Sequence, residues 1–181
     1  MNPHYTATAK GLHWLMALLI FGLLALGFYM ADLPLSPEKL QYFSWHKWAG
    51  VTAFLLVWLR LAWRVTHRPP AYPPTMTGTQ QLLAHAGHFA LYGLMVIIPL
   101  SGWLMSSAKG VQTVWFGVLP LPDLLPRDKA LGKQLAELHS ALNIGLLALL
   151  GVHTAAALLH HLYLKDGILH RMLPLRFQPK P

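Results

Sequence analysis

His139 and His153 stand 14 residues apart in one apolar stretch, and His13 and His46 each lie early in another. On a helix, 14 residues turn the chain through about 1400°, so His139 and His153 fall within about 40° of each other on one face. At ~1.5 Å per residue they are about 21 Å apart along that face. Ionisable side chains in apolar spans are costly, and each invites a functional reading. Imidazole moves protons or binds metals. Two imidazoles on opposite sides of a haem iron fill both axial positions, which favours electron transfer over oxygen activation.

The elements that position these histidines are four apolar runs: residues 11–31, 45–63, 82–105 and 138–164. Each approaches or exceeds the ~20 residues a helix needs to cross a bilayer core. None alternates strictly as a barrel strand does. Of the 181 residues, 55% are hydrophobic and 11% charged, less than half the charged share of about 25% in soluble domains. With a net charge of +8, a membrane surface is a better partner than nucleic acid for a chain this apolar. The absence of cysteine excludes disulfides, iron–sulfur clusters and thiolate zinc sites. The fold expected is all-α: one four-span domain over residues 1–181, a helical bundle in the membrane. The first apolar run is long enough to span, so no cleavable leader is expected.

The breaks between runs carry helix signals. Ser36-Pro37-Glu38 reads as an N-cap, a proline at the first helical position and an early acid, starting the second helix near Ser36. Pro69, Pro70, Pro73 and Pro74 end the second run, and Thr77 with Gln80 fits a capping box opening the third. Pro120, Pro122 and Pro126 break the following loop. Asp128 is placed to cap a long fourth helix. Pro99 lies inside the third run and is expected to kink it.

Chain direction alternates between helices. His13 therefore falls level with His153, and His46 level with His139. Two histidine pairs across a four-helix core are the arrangement that two stacked haems b require. Gly50 follows His46 by one turn, and Gly145 and Gly151 flank the histidine face of span four, where glycine admits a macrocycle. Arg60 is 14 residues after His46, at the depth of the other haem, a natural propionate partner. The spacing leaves His85 and His88 as competitors of His13. They share a face as an i, i+3 pair, with interfacial polar residues as the more ordinary reading. His160 lies seven residues after His153 on its face, suited to touching a substrate. His161 points about 100° away, and His4, His67 and His170 read as exposed ends. Trp14 and Trp45 adjoin proposed ligands, to serve as interfacial anchors or as haem packing.

Other chemistries fare worse. A single span histidine is commonly hydrogen-bonded to a neighbouring helix, but four matched in depth and face are hard to obtain that way. Zinc or copper would need two sites without a thiolate or carboxylate nearby. A proton carrier would be expected to place carboxylates within the spans.

Basic residues set the orientation. One side carries Lys10, Arg60, Arg64, Arg68, Lys165, Arg171, Arg176 and Lys180; the other carries Lys39, Lys47, Lys109, Arg127, Lys129 and Lys133. The excess on the first side makes it cytoplasmic, with both termini.

His13-Trp14, His46 with Gly50, and His139 with His153 resemble the bacterial cytochrome b561 family, which also includes membrane subunits of hydrogenases and formate dehydrogenases. The segments Leu83–His88 and His153–His161 look closer to its small stand-alone members, which oxidise superoxide. The resemblance covers nearly the whole chain. It implies two haems b held by His13 with His153 and by His46 with His139 as iron ligands. It further implies an inner-membrane oxidoreductase, a superoxide:ubiquinone oxidoreductase, passing electrons from periplasmic superoxide to ubiquinone. The alternative is a haem b subunit linking a dehydrogenase or hydrogenase to quinone. On the donor side Lys47, Lys109 and Lys133 would concentrate an anion. On the acceptor side His160 is the candidate to hydrogen-bond a quinone carbonyl.

Overall fold

In the computed structural model, which describes residues 4–173, four long helices form the body of the protein. They are α1 (Ala7–Ala31), α2 (Pro37–Thr66), α3 (Gly78–Ala108) and α4 (Lys129–Leu159). All four are long and apolar enough to cross a membrane. The chain is a multi-pass membrane protein. Arg176 and Lys180, counted above as cytoplasmic, lie outside the described residues.

Each helix starts where local chemistry sets it. The Thr6 hydroxyl accepts from the Ala9 amide to open α1. Ser36 caps α2, with Pro37 at its first position. Thr77 and Gln80 form the reciprocal capping box of α3. Asp128 accepts from the amides of Ala130 and Leu131 to start α4. These bonds satisfy amides that have no partner inside the helix. α3 continues through Pro99.

α1 packs on α2 and α3 on α4, with a slimmer contact between α2 and α3. Ile20, Leu24, Leu91, Ile98 and Leu146 make the buried apolar centre. Leu146 is the midpoint between His139 and His153, so this cluster separates the two histidine levels. Outward-facing side chains stay apolar, as at Leu18, Phe89 and Val152. Helices apolar all round are suited to lipid on their outer faces.

Two features escape simple span reading. The loop between α3 and α4 holds a two-stranded hairpin, β1 (Val114–Trp115) against β2 (Leu119–Pro120). Its tip uses positive φ at Phe116 and Gly117, a conformation glycine adopts freely and phenylalanine rarely. Trp48 Nε1 donates to the Val114 carbonyl at 2.7 Å and Trp115 Nε1 to the Trp48 carbonyl at 3.2 Å, fastening the hairpin to α2. At the other end of the bundle, α4 gives way to a π-helical turn, His160–Leu164, then to the short α5 (Ile168–Met172). Span four, expected to run to residue 164, thus changes register at His160.

Candidate functional site: two histidine pairs along one helix

α4 brings a partner to each of its two histidines. The rings of His46 and His139 have centroids 6.4 Å apart, and those of His13 and His153 are 6.3 Å apart. A metal–imidazole bond of about 2 Å, with ~1.2 Å from nitrogen to ring centre, would put two trans imidazoles about 6.4 Å apart. Both ring separations match that distance.

The His46–His139 pair is set by backbone and side-chain contacts. Ser101 Oγ lies 2.9 Å from His139 Nδ1, and the Ile98 carbonyl lies 3.2 Å from it. A carbonyl only accepts, so Nδ1 carries the hydrogen and Nε2 keeps a lone pair, the tautomer of a metal ligand. His46 Nδ1 is buried with no hydrogen-bond partner, an orphaned polar atom that asks for one. A cavity between these rings is lined otherwise by apolar side chains, among them Met16, Ile20, Ala53 and Met95, with Gly50 and Asn143. A Cβ on Gly50 would meet no protein atom within 4 Å, so this turn leaves room beside the histidines. The residues present fit haem at this level: two imidazoles, an orphaned nitrogen and apolar walls.

Sequence reasoning missed two residues here. A Cβ on Gly27 would lie 3.2 Å from His46 Cε1, and one on Gly102 would lie 3.1 Å from His139 Cε1. Each glycine is the surface against which a ring rests. Gly145 and Gly151, read as flanking the histidine face, are exposed. At 100° per residue they stand about 120° and 160° round α4 from His139 and His153 respectively.

The second level is more crowded. His88 also approaches His153, with centroids 5.6 Å apart. Its Nδ1 lies 2.7 Å from the Ala84 carbonyl. His85 is exposed and faces Tyr72 instead, at 5.2 Å. Arg60 Nη2 donates to His13 Nδ1 at 2.9 Å and lies over the Tyr92 ring. Arg60 thus stands beside this histidine pair, fourteen residues from His46. A cleft of about 660 Å³ opens beside it, lined by Arg64, His85, His88, Phe89 and Tyr92, among others. Trp14 meets the His13 ring edge-on at 5.2 Å and donates to the Met172 carbonyl at 3.0 Å. Trp45 packs on Tyr42 at 5.6 Å.

The remaining histidines sort as follows. His160 bonds through Nδ1 to the Asp166 carboxylate, and His161 meets the His170 ring at 4.8 Å. His67 is exposed and stacks on Trp63. His4 and His170, read as exposed ends, are only partly exposed. Among the lysines, Lys47 Nζ donates to the Val111 carbonyl at 3.1 Å. Lys133 lies 3.9 Å from Glu137 on the surface.

Known proteins agree with this architecture. The chain is 34% identical over 176 residues to cytochrome b561 homolog 2 of Escherichia coli K12, covering 93% of this chain and 90% of the relative. It is 28% identical over 177 residues to the probable superoxide oxidase CybB of Yersinia pestis, covering 96% and 98%. A further E. coli K12 protein, cytochrome b561 homolog 1, is 32% identical over 133 residues, covering 72% and 74%. Residues 4–175 match the prokaryotic cytochrome b561 family as a whole. The chain belongs to that family, membrane electron-transfer proteins that bind haem b.

Proposed function

We propose that this chain is a di-haem cytochrome, one four-span domain that moves electrons from superoxide to ubiquinone. The observation that carries the reading is the pair of histidine couples, at 6.4 and 6.3 Å, on one face of α4. His46 with His139, and His13 with His153, would be the axial ligands. Haem b, when bound, supplies one-electron carriage. Arg60, which here donates to His13 Nδ1, would instead hold a propionate by charge-assisted hydrogen bonds, and His13 would then carry its hydrogen on Nδ1 as a ligand does. His88 is a second candidate opposite His153, because its Nδ1 bond to the Ala84 carbonyl leaves Nε2 free as a ligand does.

The chain's other residues supply direction. Lys10, Arg60, Arg64, Arg68 and Arg171 share the end of the bundle that we assign to the cytoplasm. Arg171 donates to the Ala71 carbonyl and Trp63 to Thr6, tying that end together. In this reading the protein lies in the bacterial inner membrane with both termini cytoplasmic. His46 and His139 then lie toward the periplasm, where Lys47, Lys109 and Lys133 favour a small anion. The name of the Yersinia pestis relative supports superoxide as donor. His160, which opens the π-helical turn just past α4, would hydrogen-bond a quinone carbonyl at the cytoplasmic end.

Stopped-flow absorbance of the purified protein tests this reading. Superoxide should reduce the haems rapidly, and ubiquinone should reoxidise them. No reduction by superoxide, with rapid reduction by a co-purifying dehydrogenase or hydrogenase, would instead make the chain a docking subunit.

A further inference from the structure

The turn after α4 is built around one carboxylate. The chain leaves α4 in a π-helical turn, a form that recurs at functional sites. Lys165 then takes φ 52° and Gly167 φ 76°. Left-handed backbone is uncommon for a lysine, and here it reverses the chain so that Asp166 returns onto His160. The His160 and Asp166 side chains are only 13% and 3% exposed. Both carboxylate oxygens are engaged: Oδ2 takes His160 Nδ1, and Oδ1 accepts from the Ile168 amide at 3.1 Å.

A carboxylate on Nδ1 fixes the histidine tautomer and ring orientation, and leaves Nε2 for a substrate. His160 lies one residue past the end of α4, about 10 Å along the helix axis from His153. The other titratable groups of this segment are basic or neutral: His161, Tyr163 and Lys165 in and just after the π-turn, and His170 and Arg171 in α5. Asp166 is therefore the local carboxylate, and it is spent on a histidine.

We propose that His160 and Asp166 form the proton-delivering pair for quinone reduction, an inference that rests on the quinone reading given above. Two superoxide anions are oxidised to two dioxygen molecules and release two electrons. Ubiquinone takes those electrons and two protons to become the quinol. For each proton, the Nε2–H bond of a doubly protonated His160 breaks and an O–H bond forms at a quinone oxygen. Asp166 holds Nδ1–H throughout, and cytoplasmic water restores the proton at the ring's exposed edge. Asp166 acts here through His160, as a positioning residue.

The test compares two oxidants of the dithionite-reduced, haem-loaded protein under anaerobic conditions. One is a short-tailed ubiquinone, which needs protons; the other is ferricyanide, which takes electrons alone. Asp166→Asn should slow the quinone reaction by about a hundredfold, the size of a lost acid–base contribution, while ferricyanide oxidation keeps its rate. Asp166→Glu should recover most of the quinone rate, and heavy water should slow the native protein more than Asp166→Asn. Equal slowing with both oxidants would reduce the pair to a structural clasp and overturn the proposal. So would a normal quinone rate in Asp166→Asn while His160→Ala is slow, although His160 would then still bind quinone. Normal quinone rates in both variants would remove the quinone site from this end, and the proposal with it.

Discussion

Gly102→Ala probes the outer histidine pair without removing a ligand. An added Cβ would sit 3.1 Å from His139 Cε1 and 3.4 Å from Nδ1. Carbon atoms prefer about 3.5–4.0 Å, so the ring must retreat by roughly half an ångström. It is not free to do so, since Ser101 Oγ and the Ile98 carbonyl hold Nδ1 at 2.9 and 3.2 Å. Overpacking of this kind costs about 1–3 kcal/mol, while alanine in place of helical glycine returns about 1 kcal/mol. Fold stability should therefore change by no more than about 2 kcal/mol, the difference between those two effects. Ligand geometry suffers more, because disturbing the groups that orient a metal-bound histidine weakens metal affinity about 10–100-fold. The variant should lose or distort one haem, seen as a lower haem-to-protein ratio by pyridine haemochromogen and an altered low-spin electron paramagnetic resonance signal. The other signal should persist. Gly22→Ala, an exposed site with open space around it, is the control. An unchanged haem ratio and unchanged resonance in Gly102→Ala would refute His139 as a ligand resting on this glycine.

Haem content of the native protein should be two haems b per chain, and a measured ratio of one would leave one histidine pair without its metal. His139→Ala should remove the outer haem alone and His153→Ala the inner one, resolved by their separate α-band or resonance signals. At the inner level, the 6.3 Å pair predicts that His13→Ala loses the haem and His88→Ala retains it; the reverse result would make His88 the ligand. Haem reduction by superoxide should slow as salt rises from 0.1 M to 1 M, because the screening length falls from about 10 Å to about 3 Å. Quinone reoxidation, involving a neutral partner, should respond little, and equal sensitivity of both half-reactions would argue against steering by Lys47 and Lys109.

Much of the frame was legible along the chain. The four apolar runs became α1 to α4, and the starts at Ser36, Thr77 and Asp128 rest on neighbours within three residues. Local hydrogen bonds and burial in lipid do not depend on how helices are arranged. For the same reason, spacing alone set His139 and His153 on one face of a single helix. What faces them was a different matter. His13 and His88 both reach His153, and His85, only three residues from His88, turns to Tyr72. Contact across helices depends on how they rotate and cross, which residue spacing does not encode. Gly27 and Gly102 matter only because another helix presses an imidazole against them. The bond from His160 to Asp166 required a π-helical turn and two left-handed residues. Regular helical periodicity ends where that turn begins, so only the folded chain could bring the two side chains together.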